Sequence, residues 1–424
     1  MWQKLVQIWK VKDLRNSILF VLGMLAIFRF AAHIPVPGID VTALKRLFES
    51  NQFLGLINVF SGGSMENFSV VAMGVAPYIT SSIIFQLLIM IIPSLEHLSK
   101  EGEHGRQKIN QYTRWLTIPL AILQGYGMLS LLSRSSQGIV GAMSGFQLVT
   151  VIATVTAGTV LLMWIGELIS EKKIGNGVSI LIFAGIITSI PGAIGQTLSV
   201  FDKTQVFNLV MFLAIALITV VTVVILTEGQ RNVPVSYARR VRGNKMYGGV
   251  DTHLPIRVNM GGVIPIIFAI SLILFPSMIA QFFINAQTAW VVSAARFVIN
   301  LFQNQLFYGI SYFVLVVGFT YFYTFVVFHP QQIAENLQKQ GGFIPGIRPG
   351  PNTAEYLNKI VSRIILGGAL FLGLIAILPL SIKYITGLNT MVVGGTSLLI
   401  VVSVVIEIVK QVESQLTMRD YDGF

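Results

Sequence analysis

Side chains able to do covalent or metal chemistry are few in this chain and badly spaced for it. The five histidines are His33, His97, His104, His253 and His329. None forms the HExxH pattern that sets two imidazoles on one helical face. His97 stands beside Glu96 and His104 beside Glu103, as in a solvated charged loop. The chain has no cysteine, which removes thiolate nucleophiles, thiolate metal sites and disulfides together. Gly175-Asn176-Gly177 lacks the spacing of a dinucleotide fingerprint, and no Walker-type phosphate loop occurs. Any nucleotide energy must therefore come from a partner. Arg29, Glu167 and Glu407 are the charges in or near long apolar runs. The two glutamates sit toward the ends of their runs, whereas an ion-driven transporter buries carboxylates at mid-membrane. No catalytic residue, cofactor or metal site is indicated.

A different kind of chemistry is concentrated between Asn58 and Ile92, NVFSGGSMENFSVVAMGVAPYITSSIIFQLLIMII. Its first piece, Ser61-Gly62-Gly63-Ser64-Met65-Glu66-Asn67-Phe68-Ser69, is polar, Gly-rich and too short to cross a bilayer. Its second, Val70 to Ile92, is long enough, since about 20 apolar residues match the hydrocarbon thickness. Yet Pro77, Thr80, Ser81, Ser82 and Gln86 interrupt the aliphatics. Backbone freed by a proline in lipid must be satisfied by protein or by a water-filled cavity. A short insert leading into a broken, polar helix is how membrane proteins build a path.

Composition agrees. Of 424 residues, 54% are hydrophobic and 11% charged, less than half the usual charged share of a globular protein. The first residues, MWQKLVQIWKVKDLRN, place Trp2, Leu5, Val6 and Trp9 at helical spacing among lysines, the pattern of a surface-lying amphipathic helix. Ser17–Ala32 follows as the first apolar run; a cleaved signal peptide is the competing reading, against which Arg29 breaks the apolar core. Further runs follow Val70–Ile92 at Trp115–Ser133, Gln147–Ile169, Val178–Gly195, Phe207–Thr227, Val258–Ile284, Leu306–Phe328, Ile364–Leu380 and Met391–Lys410. Ten spans put both termini on one side. With the N-terminus inside, 22 Lys and Arg fall in inner segments and six in outer ones. That asymmetry sets a cytoplasmic orientation for both ends, and it accounts for most of the net charge of +11 without nucleic acid.

A faint repeat runs through the chain. Gly74-Val75-Ala76-Pro77-Tyr78-Ile79 opens the second span and Gly262-Val263-Ile264-Pro265-Ile266-Ile267 the seventh. Gly177-Val178-Ser179-Ile180-Leu181-Ile182 opens the fifth and Gly395-Thr396-Ser397-Leu398-Leu399-Ile400 the tenth. Each pair is five spans apart, an odd number, so the halves would be inverted about an axis in the membrane plane. The expected fold is an all-α polytopic membrane protein of ten helices in two inverted five-helix halves. The first half is residues 1–195, with the insert at about 58–69. The second is 196–424, with long inner loops at 228–257 and 329–363.

These segments, in order, resemble the SecY family, the channel subunit of the bacterial protein-export translocase. They are FRFAAHIPVPGID (Phe28–Asp40), NVFSGGS (Asn58–Ser64), KEGEHGRQKINQYTR (Lys100–Arg114), GNGVSILIFAGI (Gly175–Ile186), THLPIRVNMGGVIP (Thr252–Pro265), PGIRPG (Pro345–Gly350) and GGTSLLIVV (Gly394–Val402). The resemblance implies a clamshell around an hourglass pore in the bacterial inner membrane. Carried over by motif, Val75, Ile79, Val178, Ile182, Ile267 and Ile400 form an aliphatic constriction ring, and Ser61 to Ser69 plug it from outside. It further implies a lateral gate of spans two, three, seven and eight, on which Thr80, Gln86, Gln124 and Ser271 are polar residues able to bond between helices. Arg239, Arg240, Arg242 and Lys245 in one inner loop, and Arg348 in the next, would meet the SecA motor ATPase and the ribosome. SecE and SecG membrane subunits, a translocating chain with its signal sequence, and the lipid bilayer complete the implied partners. Two other readings stay open on the residues alone: an inverted-repeat transporter of a small solute, and a scaffold or insertase without an aqueous path.

Overall fold

The computed structural model describes residues 9–50, 58, 61–133, 144–199, 206–237, 240–242, 245–247, 252–284, 286–386 and 395–422. Helices carry every one of the expected apolar runs. In the first half these are α1 (Lys12–Ala32), the short α2 (Val41–Ser50), α3 (Ala76–Ile91), α4 (Pro93–Lys100), α5 (Glu103–Ser133), α6 (Gly145–Glu171) and α7 (Gly177–Ser199). The second half holds α8 (Val206–Glu228), α9 (Ile264–Phe283), α10 (Ala289–Gln303), α11 (Gln305–Val327), α12 (Pro330–Lys339), α13 (Pro351–Thr386) and α14 (Gly395–Asp422). The ten spans are α1, α3, α5, α6, α7 and then α8, α9, α11, α13, α14.

Among the described residues, four helical stretches are long and apolar enough to cross on their own, and the bent pair α3–α4 adds a fifth. The rest are shorter apolar helices, as in α7, α8 and α9, or apolar runs within long helices that begin or end polar, as in α5 and α14. One face of α8 shows what surrounds them. Val210, Leu213, Leu217, Ile218, Val221 and Ile225 recur at helical spacing and are all at least half exposed. A contiguous apolar stripe of that length belongs in lipid.

The repeat is visible in the packing. Span one packs on spans four and five, two on three, three on four, and four on five; in the second half six packs on nine and ten, seven on eight, eight on nine, and nine on ten. The same pairings recur after a shift of five spans, which is the ten-helix, two-half architecture. The halves meet along two seams, α3 and α5 against α9 on one side and α7 against α14 on the other.

Four features depart from the sequence reading. The second helix starts at Ala76, not Val70, because residues 70–75 turn through Gly74, whose φ is +57°. The charged signature segment Lys100–Arg114, outside the expected apolar runs, is helical from Glu103. Its polar turns are held by neighbours: the Ser81 hydroxyl donates to Thr113 O at 2.7 Å, and Phe85 stacks on Tyr112 at 6.1 Å. The chain is bent by 102° between α3 and α4 at Pro93, which cannot donate the bond a continuing helix needs. Finally, the inner loops contain strands within an otherwise all-helical fold. Strand β1 (Gln230–Tyr237) lies between β4 (Thr252–Arg257) and β5 (Gly342–Phe343), all antiparallel, and β2 (Arg240–Arg242) pairs with β3 (Lys245–Tyr247).

Candidate functional site

Local sequence first fixes where the four central helices begin. Gly74 and Gly262 adopt φ of +57° and +60°, a left-handed turn that only glycine enters without strain. Each is followed by a capping valine and a proline in the first helical turn, where a missing N–H costs nothing. Ile79 and Ile267 therefore both sit three residues into their helices, counted from Ala76 and Ile264. The other pair starts alike: Ile182 and Ile400 are both five residues in, from Gly177 and Gly395. The Asn176 side chain caps α7 by accepting from Ser179 N at 3.1 Å.

This geometry brings the six expected ring residues together. Val75, Ile79, Ile182, Ile267 and Ile400 are buried in one continuous apolar cluster, and Val178 packs partly buried against it. That cluster holds residues of both halves, so it spans the seam between them.

The Ser61–Ser69 segment lies over the first half as a chain of tight turns with no helix of its own. Its local hydrogen bonds run within the segment and to Asn58 and Val71 on either side of it. Ser64 Oγ has Ser61 O and Val71 O both within reach of its one proton, Ser69 N donates to Ser64 O, and the Asn58 amide both donates to and accepts from Glu66. Three anchors hold it down. Val36 N donates to Phe68 O and Val70 N to Ile34 O, flanking the antiparallel bridge of Pro35 with Ser69. Met65 and Phe68 insert beside Leu44 of α2 and Met128, Leu129 and Val155 of α5 and α6. The Arg29 guanidinium of span one donates to Gly62 O at 2.7 Å. Gly62 itself, at φ +71°, is so close that an added Cβ would lie 2.8 Å from Gly185 Cα in span five. Gly63, Ser64, Glu66 and Asn67 complete the segment, with Glu66 reached by Lys45 at 3.8 Å. Asp40 braces the same corner. It accepts from Thr42 Oγ1, Thr42 N and Ala43 N, and these bonds, the hydroxyl's foremost, hold its carboxyl below the usual range.

Arg29, Leu44 and Lys45 were not singled out in sequence as partners of this segment. Arg29 alone carried a signal, a charge inside an apolar run.

Two of the gate residues, Thr80 and Gln86, bond within their own helix. Thr80 Oγ1 donates to Ala76 O at 3.0 Å and Gln86 Nε2 to Ser82 Oγ at 3.3 Å, so both bonds stay within α3. Gln86 Oε1 is buried with no partner among the described residues. Gln124 is buried on α5 and Ser271 half-buried on α9. The side-chain bond that does link spans two and three is the one from Ser81.

The two basic loops are built into one platform. Arg240, Arg242 and Lys245 lie on the β2–β3 hairpin, while Arg239 lies outside the described residues. Arg348 is exposed in the turn after β5, and its carbonyl accepts from Thr353 Oγ1 at 3.0 Å. Pairing of Ser236 with Phe343 and Tyr237 with Gly342 joins the loops. Beneath them Val233, Val235, Ile256 and Ile344 pack on Leu357, Ile360 and Val361 of α13.

The chain matches the SecY family model over residues 69–409. A curated relative from Streptomyces scabiei, named protein translocase subunit SecY, is 43% identical over 98% of both chains. One of the same name from Mycobacterium tuberculosis is 44% identical over 97% of both. A solved structure described as a protein conducting channel aligns with a TM-score of 0.63 over 93% of this chain and 91% of that one, at 16% identity. Sec61 in a canine ribosome–channel complex aligns at 0.59 over 94% and 91%, at 14% identity. Nothing among these relatives favours a small-solute transporter. By family match, identity and coverage, this chain belongs to the SecY family of protein translocase subunits.

Proposed function

We propose that this chain is the channel through which unfolded secretory polypeptides cross the bacterial inner membrane, and from which membrane segments leave sideways into lipid. The observation that carries the reading is that six Val and Ile residues at the starts of four helices, two from each half, share one apolar cluster. A pore wide enough for an unfolded chain must exclude ions when idle. An aliphatic ring does so by dewetting, and it yields to any passing residue without a specific bond.

In this reading Ser61–Ser69 is the plug, seated through Arg29, Gly62, Met65 and Phe68. The seam of α3 and α5 with α9 is the side exit, and the halves 1–195 and 196–424 part along it. Thr80, Gln86, Gln124 and Ser271 line that exit, and the bond from Ser81 to Thr113 O crosses between two of its helices; interhelical bonds of this type are worth roughly 0.6 kcal/mol each, enough to bias an equilibrium and too little to lock it. The channel is passive. Energy comes from partners that dock on the basic platform, SecA or a ribosome, with SecE and SecG as membrane subunits. Both termini are cytoplasmic, as the inner excess of Lys and Arg requires.

Purified, reconstituted chain with residues 61–69 deleted should conduct ions where the parent is tight. Vesicles that stay tight without the plug would leave a scaffold. An impermeant thiol reagent should label Gly341→Cys from the cytoplasmic side only; labelling from outside would reverse the orientation.

A further inference from the structure

Helix α10, between spans seven and eight on the face opposite the basic platform, has no part in the channel reading. Fifteen residues reach about 22 Å at 1.5 Å each, short of the roughly 30 Å of hydrocarbon. Its surface divides into three sectors. Ala295 is buried, and Val291, Val292, Val298, Ile299 and Phe302 are half-buried, on a helix that packs against α9 and α11. Trp290, Ala294, Phe297 and the half-buried Leu301 recur at steps of four, three and four along a second stripe, with Trp290 74% and Phe297 66% exposed. Ser293, Arg296 and Asn300 form a third, polar and exposed.

A helix packed on a protein and otherwise in water needs one apolar sector. A second, meeting a polar one edge to edge, is the pattern of a helix lying in a bilayer boundary. An exposed apolar stripe also runs along the next helix, beyond the elbow at Asn304. Leu306, Ile310 and Val314 recur along α11 at steps of four, each more than half exposed. Trp is at home at that depth, and Arg296 can raise its charged end to the phosphates.

We propose that α10 is an interfacial anchor, with Trp290 and Phe297 among the outermost acyl carbons and Arg296 at the headgroups. The elbow to span eight is stiff. Asn304 N donates to Asn300 O, Asn304 Oδ1 accepts from Leu306 N and Phe307 N, and Phe302 meets Phe307 edge-on at 5.3 Å. The anchor thus fixes the outer end of span eight against the bilayer surface.

The absence of cysteine makes the test direct. Nitroxide is attached singly at Trp290→Cys, Phe297→Cys and Asn300→Cys, all exposed positions, in full-length chain reconstituted in phosphatidylethanolamine–phosphatidylglycerol vesicles. At 290 and 297 the ratio of oxygen to nickel-chelate accessibility should be severalfold higher than at 300, with a depth at the acyl–headgroup boundary. Equal, nickel-dominated accessibility at all three sites would make the face solvated. Accessibility to neither reagent at 290 and 297 would mean a protein covers them. Either result overturns the proposal.

Discussion

The contact between Arg29 and the plug makes a quantitative prediction. Replacing Arg29 by Met keeps most of the apolar stem and deletes the donor to Gly62 O, a 2.7 Å bond from a charged group in partly buried surroundings. Such bonds are worth about 1.5–3 kcal/mol net. The seated plug also covers part of the guanidinium, a cost that disappears with the charge, so the lower end of the range applies. A loss of about 1.4 kcal/mol multiplies the unseated fraction about tenfold. Met65 is a suitable reporter because it lies on the plug's own seated face and is 4% exposed. In a Met65→Cys background, an impermeant thiol reagent should label chains carrying Arg29→Met about tenfold faster. Gly62→Ala should do the same by another route, since its Cβ would meet Gly185 Cα at 2.8 Å and φ +71° is strained for alanine. Partner binding by each variant checks that the bundle is intact. If labelling is unchanged in both, the plug is not held by this contact and its seat must be reassigned.

Two further outcomes follow from the seam and the platform. Gln86→Leu removes a buried acceptor that has no partner among the described residues, a defect of about 1–3 kcal/mol; in an insertion assay, membrane segments should then need greater hydrophobicity to exit, and an unchanged threshold would place Gln86 outside the gate. Arg348→Glu should impair export while leaving the fold untouched, because the side chain is exposed and only its carbonyl is bonded to Thr353; normal export would remove Arg348 from the docking surface.

The spans and the repeat were legible because both rest on local rules. Apolar runs declare helices, and the Gly-Val-x-Pro openings of spans two and seven encode the same left-handed turn and proline start. What was illegible depended on distant partners. The polar turns from Glu103 to Arg114 look like a loop, yet Ser81 and Phe85 of the preceding span sustain them as helix. Val233 and Val235 are buried on either side of the exposed Pro234 in Gln230–Tyr237, a period-two signal that the intervening proline and the nearby charges obscure. Arg29 was visible as an anomaly, but its acceptor lies 33 residues away. Thr80 and Gln86 had the right chemistry for bonds between helices and spend their donors within their own, as hydroxyls and amides on helices commonly do.

The central claim is that the aliphatic side chains at the starts of spans two, five, seven and ten seal an aqueous path. Ile400 is fully buried among them, so Ile400→Asn places an amide where water must be excluded. Single-channel conductance of the reconstituted chain, with expression and partner binding matched to the parent, tests this most directly. A persistent ion leak in the idle Ile400→Asn channel, against silence in the parent, is the expected result. A folded, partner-competent variant as ion-tight as the parent would contradict it.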